Sequence, residues 1–184
     1  FESARKHGIR RIVYSSSIAA KPRGAANAPS NLYGVFKKTD EEIARIYWQD
    51  HKLPSIGLRP YIVYGVGRDD GETSAITRAI KAAAFGRPYE IPFSTQSCFQ
   101  FAGDIADVCV RAVQSDWDRA LLSDITDRVD SIDDVLTAIK SVVPEAQISR
   151  ATTERVSPAS GFDTAPLGRV IGDWQETTLV DGVQ

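Results

Sequence analysis

The sequence predicts an α/β fold built around a parallel sheet, on three observations. Short apolar, strand-like runs alternate with stretches of helical periodicity along the chain. The intervals between successive strands are long enough for the helical crossovers that parallel strands require. Clusters of proline and glycine, Lys52-Leu53-Pro54 and Gly86-Arg87-Pro88 among them, stop helices before the next strand begins.

The elements follow in order. Phe1 to Gly8 reads as the last turns of a helix closed by Gly8, and a chain that opens inside a helix reads as part of a longer protein. The run Ile12-Val13-Tyr14 marks a buried strand within residues 9–15. Residues 21–30, rich in Ala, Pro, Gly and Asn, form a loop. The longest helix is expected over residues 30–51, capped by Ser30, with Ile43, Ile46 and Tyr47 on its apolar face. A strand over 55–63, interrupted at Pro60, leads into a glycine-bearing loop over 64–72 and a helix over 73–85. Residues 89–101 read as strand and loop. Gly103-Asp104 opens an amphipathic helix with Ile105, Val108, Cys109, Ala112 and Val113 on one face, Asp104 acting as its cap. A short strand near 121–125 and a helix over 131–142 follow, and beyond Pro144 the signals weaken.

Composition narrows the function. The 184 residues are 42% hydrophobic and 25% charged with a net charge of −2, enough apolar content for a real core and no basic run to track phosphates. Nucleic-acid binding is therefore not expected. No apolar stretch reaches transmembrane length and no signal peptide is recognisable, so no membrane partner is expected. Cys98 and Cys109 lack any metal-binding spacing and fit free thiols in the cytoplasm; His7 and His51 are too far apart for a metal pair, and no metal is expected.

Three features carry chemistry. Tyr33 and Lys37 stand four residues apart, hence on one helix face a turn apart. A phenol is a poor base at neutral pH, and a neighbouring ammonium favours its ionised form. Such a pair can exchange a proton with a carbinol or carbonyl, although alone it reads as a solvated tyrosine beside a lysine. Ser15, Ser16 and Ser17 lie at the carboxyl end of the first strand, where open α/β sheets bind ligands, although serines there also serve simply as turn formers. The third feature, Leu58-Arg59-Pro60-Tyr61-Ile62-Val63-Tyr64-Gly65, is a strand entering a glycine turn.

Taken together and in this order, these features resemble the extended short-chain dehydrogenase/reductase family, which includes the NAD-dependent sugar epimerases and dehydratases. Phe99-Gln100-Phe101-Ala102-Gly103-Asp104-Ile105-Ala106-Asp107 is similar to that family's aromatic strand and following helix. Thr177-Thr178-Leu179-Val180-Asp181-Gly182-Val183 is similar to the opening of its last helix. The resemblance implies a Rossmann-type parallel sheet with helices on both faces, only partly represented here, plus a smaller C-terminal substrate-binding lobe. Residues 1–64 and 101–124 would form the cofactor domain, and residues 65–100 and 125–184 the lobe.

On the same resemblance, Tyr33 is the catalytic acid/base, Lys37 tunes it and holds the cofactor ribose, and Ser17 binds the reacting oxygen. Ser15 and Ser16 would lie along the cofactor, NAD or NADP, and Tyr61 and Ile62 beside its nicotinamide. The reaction implied is hydride transfer at a sugar or sugar-like hydroxyl, as in an epimerase or dehydratase. A dehydrogenase of a small sugar acid or polyol and a non-catalytic cofactor-binding relative are the alternatives, and a homodimer is compatible with the family. Two departures stand out. The family's Gly-x-x-Gly-x-x-Gly turn, which seats the pyrophosphate, does not occur in these residues. The arginine that many nucleotide-sugar members carry before the aromatic strand has no counterpart in Thr95-Gln96-Ser97-Cys98. The expected substrate is therefore small and sugar-like or a hydroxy acid rather than a nucleotide diphosphate, with Arg78 and Arg87 the cations best placed to overturn that expectation.

Overall fold

A computed structural model describes residues 1–22, 27–71, 73–157 and 161–184. The helices are α1 (Glu2–Lys6), α2 (Leu32–His51), α3 (Ala75–Ala84), α4 (Ala102–Gln114), α5 (Ile132–Val142), α6 (Ala165–Ile171) and α7 (Leu179–Val183), with a 3₁₀ turn at Ile18–Ala20. The strands are β1 (Ile12–Ser15), β2 (Ser55–Arg59), β3 (Ile62–Tyr64), β4 (Tyr89–Ile91), β5 (Gln96–Ser97), β6 (Phe99–Phe101), β7 (Ala120–Asp124), β8 (Asp130–Ser131) and β9 (Ile148–Arg150). Two compact units result. The first comprises Phe1–Pro60, Ala106–Ile125 and Phe162–Trp174; the second comprises Tyr61–Ile105, Thr126–Gly161 and Gln175–Gln184.

The first unit holds the expected parallel sheet, in the order β1-β2-β7. Ser15 is in register with Leu58 and Arg59 with Asp124, so the carboxyl ends of all three strands share one edge. Ile56 and Leu58 are buried, as a central strand covered on both faces requires. Gly57 is fixed by packing: a Cβ there would stand 2.5 Å from the Tyr14 hydroxyl and 2.7 Å from a Leu122 methyl. Helix α1 ends as expected, with Gly8 at φ 67° and the paired bonds of a Schellman motif, Ile9 N–H to Ala4 O and Gly8 N–H to Arg5 O.

Two expectations for α2 are corrected. Its cap is Asn31, whose side-chain oxygen accepts from the Gly34 N–H at 2.8 Å, and not Ser30. Its buried residues are Gly34, Glu41 and Ala44, whereas Ile43 and Ile46 stay about 40% exposed. Small residues allow the helix backbone to lie close to its neighbours, and the carboxylate of Glu41 is buried because it is fully paired, as described below. The loop expected over 21–30 includes residues 23–26, which lie outside the described residues, as does Glu72 of the loop over 64–72.

The second unit combines two parallel strand pairs, β3-β6 and β4-β9, with an antiparallel pair, β5-β8. Pro60, with no N–H and a fixed φ, divides the strand expected over 55–63 so completely that β2 and β3 belong to different sheets. Tyr64, Ile76, Ile91, Phe99, Ile132 and Ile139 form the centre of its core. Helix α5 starts with a capping box: Ser131 accepts from the Asp134 N–H while the Asp134 carboxylate accepts from the Ser131 N–H. Asp104 does not cap its own helix as expected. Both its carboxylate oxygens accept from Thr177, from N–H and hydroxyl at 2.7 Å each, so it anchors the C-terminal segment instead.

Candidate active site

Ser15, Ser16, Ser17, Tyr33 and Lys37 all lie in the first unit, at the carboxyl end of β1 and on the first turns of α2. Tyr61 and Ile62 lie in the second unit, both buried; the Tyr61 N–H donates to the Gln100 side chain at 2.7 Å, and Ile62 pairs with Phe99.

The first turn of α2 is pressed onto the 3₁₀ turn that Ser17 opens. A Cβ on Gly34 would stand 2.2 Å from the Ala19 carbonyl oxygen, so only glycine admits this approach. Ser17 caps that turn, its hydroxyl oxygen accepting from the Ala19 N–H at 3.1 Å. Its own O–H is thereby left to donate elsewhere. Tyr33 precedes Gly34 and is 54% exposed. One turn on, the Lys37 ammonium donates to the Ser15 carbonyl at 2.7 Å and approaches Asp40 at 3.5 Å. Phenol, ammonium and serine hydroxyl are thus carried by two segments in direct contact.

Behind this group lies a charge network whose role the sequence reading missed. Glu41 is 3% exposed. One of its oxygens accepts from the Ser16 hydroxyl and from Arg59 Nε, both at 2.7 Å; the other accepts from Arg59 Nη2 at 2.8 Å and Lys38 at 3.4 Å. Burial works to raise the Glu41 pKa, but the Arg59 guanidinium and the Ser16 hydroxyl prevail and hold it below the ordinary carboxylate value. The spacing Tyr33, Lys37, Glu41 at successive turns was the available signal. That spacing alone does not single it out, because a glutamate on a helix is usually solvated. Burial, with the Glu41 charge next, raises the Tyr14 pKa well above that of an ordinary phenol. At the end of β7 the fully buried Asp124 carboxylate accepts from Lys21 at 2.6 Å and from the Asp163 N–H at 2.7 Å.

The donor set suits the ribose of a dinucleotide. Lys37 has three N–H donors, of which the Ser15 carbonyl takes one and Asp40, at 3.5 Å, a second, and its side chain remains partly exposed. Ser16 offers less than expected: its hydroxyl is committed to Glu41 and its N–H to the Leu58 carbonyl at 2.7 Å. Among the described residues no group of three His, Cys, Asp or Glu could hold a metal, and no helix is long and apolar enough to cross a membrane.

In the second unit, Thr95 and Ser97 are turned to internal partners, the Arg155 carbonyl and the Ser157 hydroxyl. A polar recess of about 380 Å³ beside them includes Ser94, Gln96 and Arg155, a cation supplied from far along the chain. Arg78, Lys81 and Arg87 share a separate shallow pocket with Phe85 and Tyr89.

The NAD dependent epimerase/dehydratase family matches residues 1–120. Protein CapI of Staphylococcus aureus is 34% identical over 89 residues, 43% of this chain and 27% of its own. A 37.6 kDa protein of Escherichia coli O111:H- is 25% identical across the whole chain, which spans 64% of it. Among solved structures, a partial-consensus L-threonine 3-dehydrogenase superposes with a TM-score of 0.80 at 21% identity, covering 99% of this chain and 65% of that one. The UDP-N-acetylglucosamine 4-epimerase of Methanobrevibacter ruminantium superposes equally well, at 0.80 and 17% identity, over 100% of this chain and 64% of that one. The fold is therefore a partial Rossmann-type α/β fold, and the chain spans less than two thirds of the curated relatives' length.

Proposed function

Because the chain belongs to the NAD dependent epimerase/dehydratase family, we propose that it carries the proton-handling site of an oxidoreductase acting on a sugar or sugar-like carbinol. NAD, when bound, supplies the hydride acceptor and donor. In the oxidative direction the Ser17 O–H holds the substrate oxygen, and the Tyr33 phenolate takes the hydroxyl proton as the carbinol C–H leaves as hydride and C=O forms. Lys37 holds the ribose. The first unit then serves the cofactor, and the second serves the substrate.

The observation that supports this most is the Gly34–Ala19 contact, which joins the helix turn bearing Tyr33 to the turn capped by Ser17. Among solved neighbours, a UDP-glucuronic acid 4-epimerase from Bacillus cereus is a complex with NAD, and others are UDP-sugar epimerases or threonine dehydrogenases. A UDP-sugar or a free hydroxy acid is accordingly the choice for substrate. Thr95–Cys98 carries no cation of its own, though Arg155 lines the recess beside it; of the two we take the second, a small sugar acid, polyol or hydroxy amino acid.

Product analysis by chromatography, with NAD and each of UDP-glucose, UDP-glucuronate, a free sugar acid and L-threonine, separates these. Absorbance of NADH alone does not, since an epimerase returns its hydride. With the full-length protein, conversion of a free acid is the expected result; conversion of UDP-sugars alone overturns the small-substrate reading, and no conversion of any kind by full-length protein with intact Tyr33 overturns the catalytic one.

A further inference from the structure

Glu41 is too well bonded to be a space-filler. An apolar side chain could occupy the buried face of α2 at less desolvation cost, since a buried ion pair is seldom retained for stability. What its carboxylate does is join three elements at one point: α2, which carries it; the Ser16 hydroxyl at the end of β1; and the Arg59 fork at the end of β2. Two parallel N–H donors to one carboxylate fix rotation as well as distance. One turn earlier, Lys37 bonds the Ser15 carbonyl. Successive turns of α2 are therefore tied to successive residues of β1, Lys37 to Ser15 and Glu41 to Ser16, and the next residue of that strand end is Ser17. A slip of α2 by one residue, about 1.5 Å along its axis, breaks every one of these short contacts.

We propose that Glu41, held by Arg59, is the positioning residue of this site: it sets the rotation and axial position of α2, and so where Tyr33 and Lys37 stand relative to Ser17. The inference rests on the catalytic reading of Tyr33 and Ser17 given above. Glu41 touches no reacting atom and acts through the residues it places.

The test uses the full-length protein and the Glu41→Gln substitution, which keeps the side chain's size and removes its charge. Turnover of the substrate found by product analysis is expected to fall about 10- to 100-fold, as a displacement of about 1 Å does elsewhere. KM for the sugar-like substrate should stay within about threefold, while the NAD dissociation constant rises, because Lys37 moves with α2. In a Tyr33→Phe background the same substitution should cost less than about twofold, because a positioning effect vanishes when the positioned group is gone. A purely structural role lowers turnover equally in both backgrounds. Amide exchange supplies a readout that needs no substrate: peptides covering residues 14–20 and 31–38 should exchange about tenfold faster in Glu41→Gln. Should Glu41→Gln fail to fold, Arg59→Lys keeps the charge but loses the fork, and the same split is expected at smaller size. Unchanged turnover and exchange in the folded variant, or an equal loss in the Tyr33→Phe background, overturns the inference. Normal turnover of Tyr33→Phe alone overturns the catalytic reading instead, and the exchange measurement then decides Glu41 by itself.

Discussion

Tyr14 and Tyr33 are both phenols close to the same serines, and their surroundings separate them. Tyr14 packs over Gly57 with its hydroxyl buried and without a hydrogen-bond partner among the described residues, and burial beside Glu41 keeps it neutral. Tyr33 is 54% exposed, one helical turn before Lys37. Tyr33→Phe is expected to cost about 100-fold in turnover or more, the usual scale of general acid–base loss, with NAD affinity little changed. Tyr14→Phe, which removes an unpaired buried hydroxyl, should leave turnover within about twofold and stability unchanged or slightly higher. Steady-state kinetics on the two variants decides between the phenols. Glu41 adds a pH prediction. Its folded pKa lies below the ordinary 4.5, so the unfolded chain binds the extra proton first on acidification. The stability this contributes is complete above about pH 5 and is lost as pH falls through the lowered folded value. Thermal melts from pH 6 to pH 3 should therefore fall less steeply for Glu41→Gln than for the unaltered protein; parallel curves would remove Glu41 as a source of acid sensitivity.

At the scale of elements, α2 shows how a helix can be legible while its packing is not. Its length and its stop before Pro54 follow from composition, but which face is buried depends on what lies opposite. Against the 3₁₀ turn the requirement is for no side chain at all, and Gly34→Ala should push the two backbones apart. We expect a loss of about 1–3 kcal/mol in stability together with reduced turnover, because Tyr33 shifts with the helix; denaturant titration and kinetics on one preparation test both. Helix α5 is the opposite case, with its apolar residues Ile132, Val135, Ala138 and Ile139 at helical spacing and all buried. Ile139 is fully buried there, and Ile139→Ala should cost about 2–5 kcal/mol by transfer and cavity terms. A midpoint shift equivalent to less than about 1 kcal/mol, below the range seen for such changes, would mean that the core around it collapses to refill the space.

At the scale of the whole molecule, the chain leaves the first unit at Pro60, returns in α4, leaves again after Ile125 and returns once more at Phe162. These returns place Asp163 on the Asp124 carboxylate and the Leu167 N–H on the Ser123 hydroxyl, at the end of β7. The 184 residues contain no Gly-x-x-Gly-x-x-Gly turn to offer backbone N–H groups to a pyrophosphate. A polypeptide of these residues alone is expected to bind NAD weakly or not at all, although Lys37 is in place at the end of β1. Micromolar binding in calorimetry would mean that the cofactor is held by groups other than those named here.

Local chemistry determined a good deal of this protein from the sequence. Period and punctuation marked α2, α3, α4 and α5 and the three strands of the first sheet. The order of Ser17, Tyr33, Lys37 and the Arg-Pro-Tyr strand pointed to the family. Such signals are legible because they act between residues near in the chain, through hydrogen-bond periodicity, the missing N–H of proline and the C-cap geometry of Gly8. Only the tertiary structure decided the rest. Glu41 with Arg59, Lys21 with Asp124 and Asp104 with Thr177 are pairings between distant segments. Nothing in local sequence distinguishes a charged side chain that will be buried and paired from one that will be solvated, because the difference is made by the partner the fold brings to it.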